Sequence, residues 1–172
     1  MRPSRGDERA WVRGAQAGSA ADLERLFRAH WPRAHRAAWL VVHDAAAAED
    51  IAQEAFLAAI RALDRFDRRR PFGPWLHRIV VNRAIDWARA RKLRGEVALC
   101  EPATVAHTSG SPTERDELLG ALVGLSPEHR GVIVLRYLLE YTPGEIADLL
   151  DLPRGTVNSR LRRGLDRLGD EL

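Results

Sequence analysis

The stretch from Thr142 to Leu168, TPGEIADLLDLPRGTVNSRLRRGLDRL, constrains the fold more than any other part of this chain. Thr142 reads as an N-cap, and Pro143 takes the first helical position, where its missing N–H costs nothing. Glu145 can reach back to close a capping box. Ile146, Leu149 and Leu150 give this helix one short apolar face. Asp151-Leu152-Pro153 ends it, and Pro153 can open the next. Val157, Leu161, Leu165 and Leu168 then repeat at spacings of four, four and three, which predicts a helix buried along one side. Arg154, Asn158, Ser159, Arg160, Arg162, Arg163 and Arg167 occupy its other sides. Two capped helices, a tight turn and a basic second helix predict a helix-turn-helix, with the second helix in a DNA major groove. An αα-hairpin with a solvated basic face is the alternative. Asp151 stands where such turns often prefer Gly, so a positive φ would strain the turn.

A chain of 172 residues suits one domain or two small ones, and 45% hydrophobic residues suffice for real cores. The single Cys100 excludes a disulfide framework and a cysteine zinc site, which favours an intracellular, cytoplasmic protein. No apolar run approaches the roughly 20 residues of a membrane span, and MRPSRGDERAW lacks the apolar core of a signal peptide. Among 27 basic residues only Lys92 is lysine, a bias that points to a GC-rich genome rather than to chemistry.

The charge is unevenly spread. Residues 1–94 carry 19 basic and 11 acidic groups, net +8, whereas residues 95–172 carry 8 and 13, net −5. Within the first half, residues 22–60 are net −2 (4 against 6) and residues 61–94 net +8 (11 against 3). An acidic block beside a basic one implies two partners, one of them nucleic acid.

Helical spacing dominates the rest, and no strand is predicted. After an N-terminal arm (1–21), residues 22–94 form one helical domain. Leu23, Leu26, Phe27, His30, Trp31, Ala34, Ala38 and Val41 line its first helix. Asp44 caps the second, lined by Ile51, Ala55, Phe56, Ala59, Ile60 and Leu63. A loop from Asp64 to Pro74 precedes a third helix starting near Trp75. Residues 95–113 lose periodicity and gain Gly, Pro, Ser and Thr, which predicts a flexible linker. Residues 114–172 form a second helical domain, in which Ser126-Pro127-Glu128 caps the helix through Val132, Ile133, Leu135 and Leu139. The expected fold is all-α, two small helical domains.

Two further surfaces carry chemistry. Asp50, Gln53 and Glu54 share one helix face, opposite Ile51 and Phe56. That face either binds a cationic partner or is merely solvated. The loop and following helix combine Arg65, Arg68, Arg69, Arg70 and Arg78 with Phe66, Phe72 and Trp75. Cations for a phosphate path and rings for stacked bases are what single-strand binders use, although residues such as Phe66 and Trp75 are more often core than base-stacking. Trp87, on the apolar stripe, is assigned to the core. Catalysis is not expected: there is no P-loop, no Ser/His/Asp pattern, no nucleophile beside the acidic residues, and His30 and His35 lie five apart, off metal-pair spacing. Neither a metal nor a cofactor is expected.

In order and spacing, AEDIAQEAFLAAI, RFDRRRPFGPWLHRIVVNRAIDWARARKLR and SPEHRGVIVLRYLLEYTPGEIADLLDLPRGTVNSRLRRGLDRL resemble the extracytoplasmic-function (ECF) sigma factors, over residues 22–94 and 114–168. The resemblance implies a transcription initiation factor that directs core RNA polymerase to specific promoters. Its first domain (region 2) would read and melt the minus-ten element, and its second (region 4) would read the minus-thirty-five element. Asp50, Gln53 and Glu54 would then face arginines of the polymerase clamp helices, with region 4 on the flap. Arg65, Arg68, Arg69, Arg70, Phe72, Trp75, Arg78, Asn82 and Arg83 would serve the minus-ten element, the loop holding a flipped non-template base. Arg154, Thr156, Asn158, Ser159, Arg160, Arg162 and Arg163 would serve the minus-thirty-five element, with Asn158 and Arg163 on bases and Arg154 and Arg160 on phosphate. An anti-sigma factor is a further implied partner. Asn158 departs from the family, which usually carries a basic residue there. The competing readings are a helix-turn-helix regulator that acts without polymerase and a nuclease.

Overall fold

A computed structural model describes residues 4–95 and 112–171 of the chain, and every regular element among them is helical. In order they are α1 (Arg5–Gln16), α2 (Ala20–Val42), α3 (Ala45–Ala62), a 3-10 turn (Leu63–Arg65), α4 (Phe72–Leu93), α5 (Pro112–Gly124), α6 (Pro127–Ile133), a π turn (Val134–Leu138), α7 (Pro143–Leu150) and α8 (Arg154–Glu171). The starts follow from local sequence. Ser4, Ser19, Asp44, Ser126 and Thr142 each accept a backbone N–H from the residue three further on, supplying donors that a helix end leaves unpaired. At Thr142 the anticipated capping box with Glu145 is complete.

Helices α2, α3 and α4 pack into the first bundle through small side chains. Ala34, Ala37, Ala38, Ala48, Ala52, Ala55, Ala59 and Ala84 are wholly buried, so the backbones approach closely while Leu26, Leu76 and Val80 fill the remaining space. The residues expected to form an N-terminal arm instead hold α1, which packs on α2, α4 and the 3-10 turn through Val12. Helix α4 begins at Phe72, three residues ahead of its predicted start, because its cap comes from α1: Glu8 accepts from the backbone N–H groups of Phe72 and Gly73 at 3.2 and 3.3 Å. Of the predicted linker, residues 96–111 with Cys100 lie outside the described residues; Pro112 already belongs to α5.

Helices α6, α7 and α8 form the second group. The buried seam of α8 is Val157, Leu161, Gly164 and Leu168, not the predicted Val157, Leu161, Leu165 and Leu168; Leu165 is 41% exposed. A Cβ on Gly164 would lie 2.7 Å from Ile133 Cδ1, so glycine sets the α6–α8 approach where leucine was expected. Between the groups, α6 rests on α4 at a second glycine: a Cβ on Gly131 would meet Ile85 Cδ1 at 2.6 Å. Arg33 donates to the Leu138 carbonyl at 2.8 Å, Arg89 pairs with Glu128, and the His77 ring bonds the Tyr141 hydroxyl at 2.7 Å, all across the same boundary.

Candidate nucleic-acid interface

Asp151 ends α7 with φ 53°, so the turn does take the positive φ that favours Gly there, and Leu152 N–H bonds back to the Ala147 carbonyl at 3.0 Å. After the turn, α8 packs on α6 and α7 and leaves its outer side open. Arg154, Asn158, Arg162 and Arg163 are exposed there; Thr156, Ser159 and Arg160 are half-buried. Helical spacing puts Ser159, Arg162 and Arg163 opposite the Val157–Leu161–Gly164 seam, with Asn158 on one flank and Thr156 and Arg160 on the other. Burial, followed by the charges of Arg160, Arg167 and Arg163, pushes the pKa of His129 on α6 down. The α8 arginines thus lie close enough to α6 to disfavour a further positive charge there.

The arginine loop has a defined shape. Asp67 Oδ1 accepts the Arg69 N–H at 3.0 Å, and the Arg70 N–H bonds the Asp67 carbonyl at 2.9 Å. This turn leaves Arg65, Arg68, Arg69 and Arg70 exposed. The bonds from Arg69 hold the Asp67 carboxyl below its ordinary range. Trp75, Arg78 and Asn82 follow at spacings of three and four along one face of α4, with Trp75 and Asn82 half-buried and Arg78 exposed. Phe72 does not belong to this surface. Its ring is 3% exposed, with centroids 6.0 Å from Phe66 and 5.3 Å from His30, because the early start of α4 turns it inward. Phe66 is likewise core, leaving Trp75, half-buried and tilted against Phe66 with ring centroids 4.5 Å apart, as the one of these three rings with a solvent-facing part.

On α3, Asp50, Gln53 and Glu54 are all exposed. Glu54 accepts from Arg83 of α4 at 2.7 Å, and Gln53 donates to Glu49 at 3.1 Å. The acidic face thus meets the Arg83 end of the α4 surface. Leu57, 49% exposed, continues the face one turn beyond Gln53 and was not anticipated, since its neighbourhood reads as apolar throughout. Its place off the Ile51–Ala55–Phe56–Ala59 stripe was the available signal. Phe27 and Ile60 are further exposed apolar side chains of α2 and α3.

The α4 surface is walled on one side by α7. Arg70, Trp75 and Arg78 line a cleft of about 350 Å³ whose far wall carries Glu145 and Asp148. Among the described residues no three His, Cys, Asp or Glu side chains are grouped to hold a metal ion, and no helix is long and apolar enough to cross a membrane.

The chain matches the Sigma-70 region 2 family over residues 26–94 and the Sigma-70 region 4 family over residues 121–169. It is 36% identical over 146 residues to the ECF RNA polymerase sigma factor SigW of Bacillus subtilis, covering 76% of each chain. To the RNA polymerase sigma factor CarQ of Myxococcus xanthus it is 33% identical over 159 residues, 90% of this chain and 91% of that one. Among solved structures, CnrH in complex with the cytosolic domain of CnrY superposes with a TM-score of 0.73 at 27% identity, covering 95% of this chain and 96% of that one. The fold is shared too with the sigma factor RpoE in complex with the anti-sigma factor NepR from Bartonella quintana, TM-score 0.71 at 22% identity over 87% of this chain and 96% of that one. With a helix-turn-helix, an arginine loop and both regions in order, the chain belongs to the ECF sigma factors, transcription initiation factors that direct RNA polymerase to promoters.

Proposed function

We propose that three surfaces divide the work of initiation. The α3 face of Asp50, Gln53, Glu54 and Leu57 binds arginines of the polymerase clamp through charge-assisted bonds around an apolar anchor. Arg65, Arg68, Arg69, Arg70, Trp75, Arg78, Asn82 and Arg83 form the minus-ten surface; Phe72 is withdrawn to the core. Arg154, Thr156, Asn158, Ser159, Arg160, Arg162 and Arg163 form the minus-thirty-five surface. Region 2 spans residues 22–94 with α1 added, region 4 spans 114–172, and region 4 also docks on the polymerase flap. The chain performs no catalysis of its own and works in the cytoplasm, and an anti-sigma factor restrains it, as the structural relatives bound by CnrY and NepR suggest.

The observation that carries this reading is the alignment of half-buried Trp75, exposed Arg78 and half-buried Asn82 along one face of α4, next to a solvated arginine loop and an acidic neighbour helix. Reconstituted with core polymerase, the protein should give promoter-dependent transcription without another sigma factor. Asp50→Arg with Glu54→Arg should abolish holoenzyme assembly on gel filtration while the circular dichroism stays helical; intact assembly would remove the acidic face from the polymerase contact. In a promoter-library selection, Asn158→Ala or Arg163→Ala should relax preference at single positions, about 1–3 kcal/mol each. Loss of binding to all sequences alike would move those residues onto phosphate.

A further inference from the structure

Helix α1 precedes the segment that matches the region 2 family, yet three of its side chains hold the arginine loop at both ends and near its tip. Where the loop leaves the 3-10 turn, Gln16 Nε2 donates to the Leu63 and Phe66 carbonyls at 2.8 and 3.1 Å. At the tip, Arg9 reaches the Arg69 carbonyl at 3.5 Å. Where the loop enters α4, Glu8 accepts from the Phe72 and Gly73 N–H groups. Pro71 at the N-cap offers no side-chain bond, so this end of α4 is capped by a carboxylate 64 positions away from Phe72 in sequence. A negative charge there also meets the positive end of the helix dipole.

Glu8 is 8% exposed, and burial of that kind disfavours the charged form of a carboxyl. Burial pushes its pKa up, but His30, whose Nε2 lies 3.0 Å from Oε1, and the two backbone N–H groups outweigh burial and hold the carboxyl below its ordinary range. The anchor is therefore ionised and fully engaged. Gly73 completes it: a Cβ there would press on the His30 ring at 3.1 Å.

We propose that α1 is a loop clamp, with Glu8 and Gln16 as positioning residues that preset the arginine loop and Trp75 for strand capture. A loop ordered before binding does not pay its ordering entropy when it meets DNA, so its contacts count in full toward the open complex. The inference rests on the loop being part of the minus-ten surface.

Holoenzyme carrying Glu8→Gln or Gln16→Ala tests it. Both variants should form open complexes about tenfold less well by permanganate footprinting, the factor that roughly 1.4 kcal/mol commands, with core affinity and upstream duplex binding changed less than twofold. Hydrogen exchange at the Phe72 and Gly73 amides should rise in Glu8→Gln. The deciding measurement is a double-mutant cycle: in a background of Arg68, Arg69 and Arg70 all replaced by Ala, Gln16→Ala should add less than a twofold loss. A full tenfold loss in that background would mean general destabilisation and overturn the clamp. If the triple replacement itself leaves open complexes unchanged, the minus-ten assignment of the loop falls and the clamp with it. If Glu8→Gln fails to fold, Gln16→Ala alone decides, because half-buried Gln16 lies outside the core.

Discussion

Phe72 and Trp75 stand one helical turn apart at the start of α4 and carry opposite expectations. Phe72 fills the core between Phe66 and His30, so Phe72→Ala should destabilise the first bundle by about 3–5 kcal/mol in urea unfolding, the usual cost of deleting a buried ring. Trp75 is half-buried on Phe66 and lines the cleft. Trp75→Ala should cost the fold far less and the melted-strand complex about 1–3 kcal/mol. Fluorescence titration with a minus-ten single strand checks this; equal strand affinity for wild type and Trp75→Ala would leave the loop without a stacking ring. The sequence Pro71-Phe72-Gly73 could not distinguish these roles, since two breakers around an aromatic residue read as loop. Its helical state is imposed by Glu8, which no local window contains.

At the level of elements, α2 ends on a residue whose protonation bears on stability. His43 closes the helix in the left-handed conformation, φ 52°, donating its N–H to the Trp39 carbonyl at 2.8 Å. Its ring is 1% exposed, and among the described residues neither ring nitrogen has a hydrogen-bond partner. Burial first, and the charge of Arg130 second, push its pKa down to about 4 from 6.5. The folded value lies below the unfolded one, so the unfolded chain takes up the proton first as pH falls. The contribution is intact above about pH 6.5 and is lost toward pH 4, to an amount on the order of 3 kcal/mol. His43→Asn, whose amide tolerates the left-handed turn, should flatten stability between about pH 7.5 and 5 in urea titrations. An unaltered slope would place the acid sensitivity in other groups.

Across the whole molecule, the two helical groups are held together at Gly131, where α6 meets Ile85 and Val81 of α4, and by the Arg89–Glu128 pair. Burial raises the Glu128 pKa, but the Arg89 bond together with the Glu128 backbone N–H and the Ser126 hydroxyl brings it down to about 2, so this pair persists throughout the physiological range. The same closure places Glu145 and Asp148 opposite Arg70 and Arg78. Gly131→Leu should therefore wedge the groups apart: small-angle scattering should show a larger radius of gyration at unchanged helicity. Affinity for a minus-ten single strand should rise several-fold as the cleft opens. An unchanged radius would mean that α6 absorbs the side chain locally.

Helix identity and most helix starts were legible because capping and periodicity are local: Thr142 with Glu145, Asp44, Ser126 with Pro127, and the Asp151 turn all follow from residues within one or two turns. Exposure of Arg154, Arg162 and Arg163 was legible for the same reason, since a charged face opposite an apolar stripe has one way to turn, whereas Arg160 on the flank is half-buried. Tertiary structure decided what depends on distant partners. Glu8 converted Phe72 from a loop residue into core, α1 became part of the first bundle, and Gly164 and Gly131 took packing places that an apolar pattern assigns to larger side chains. A hydrophobic pattern records which side is buried, whereas the closest approach of two helices is set by the residue that is absent there, and only the fold brings that absence opposite Ile133 or Ile85.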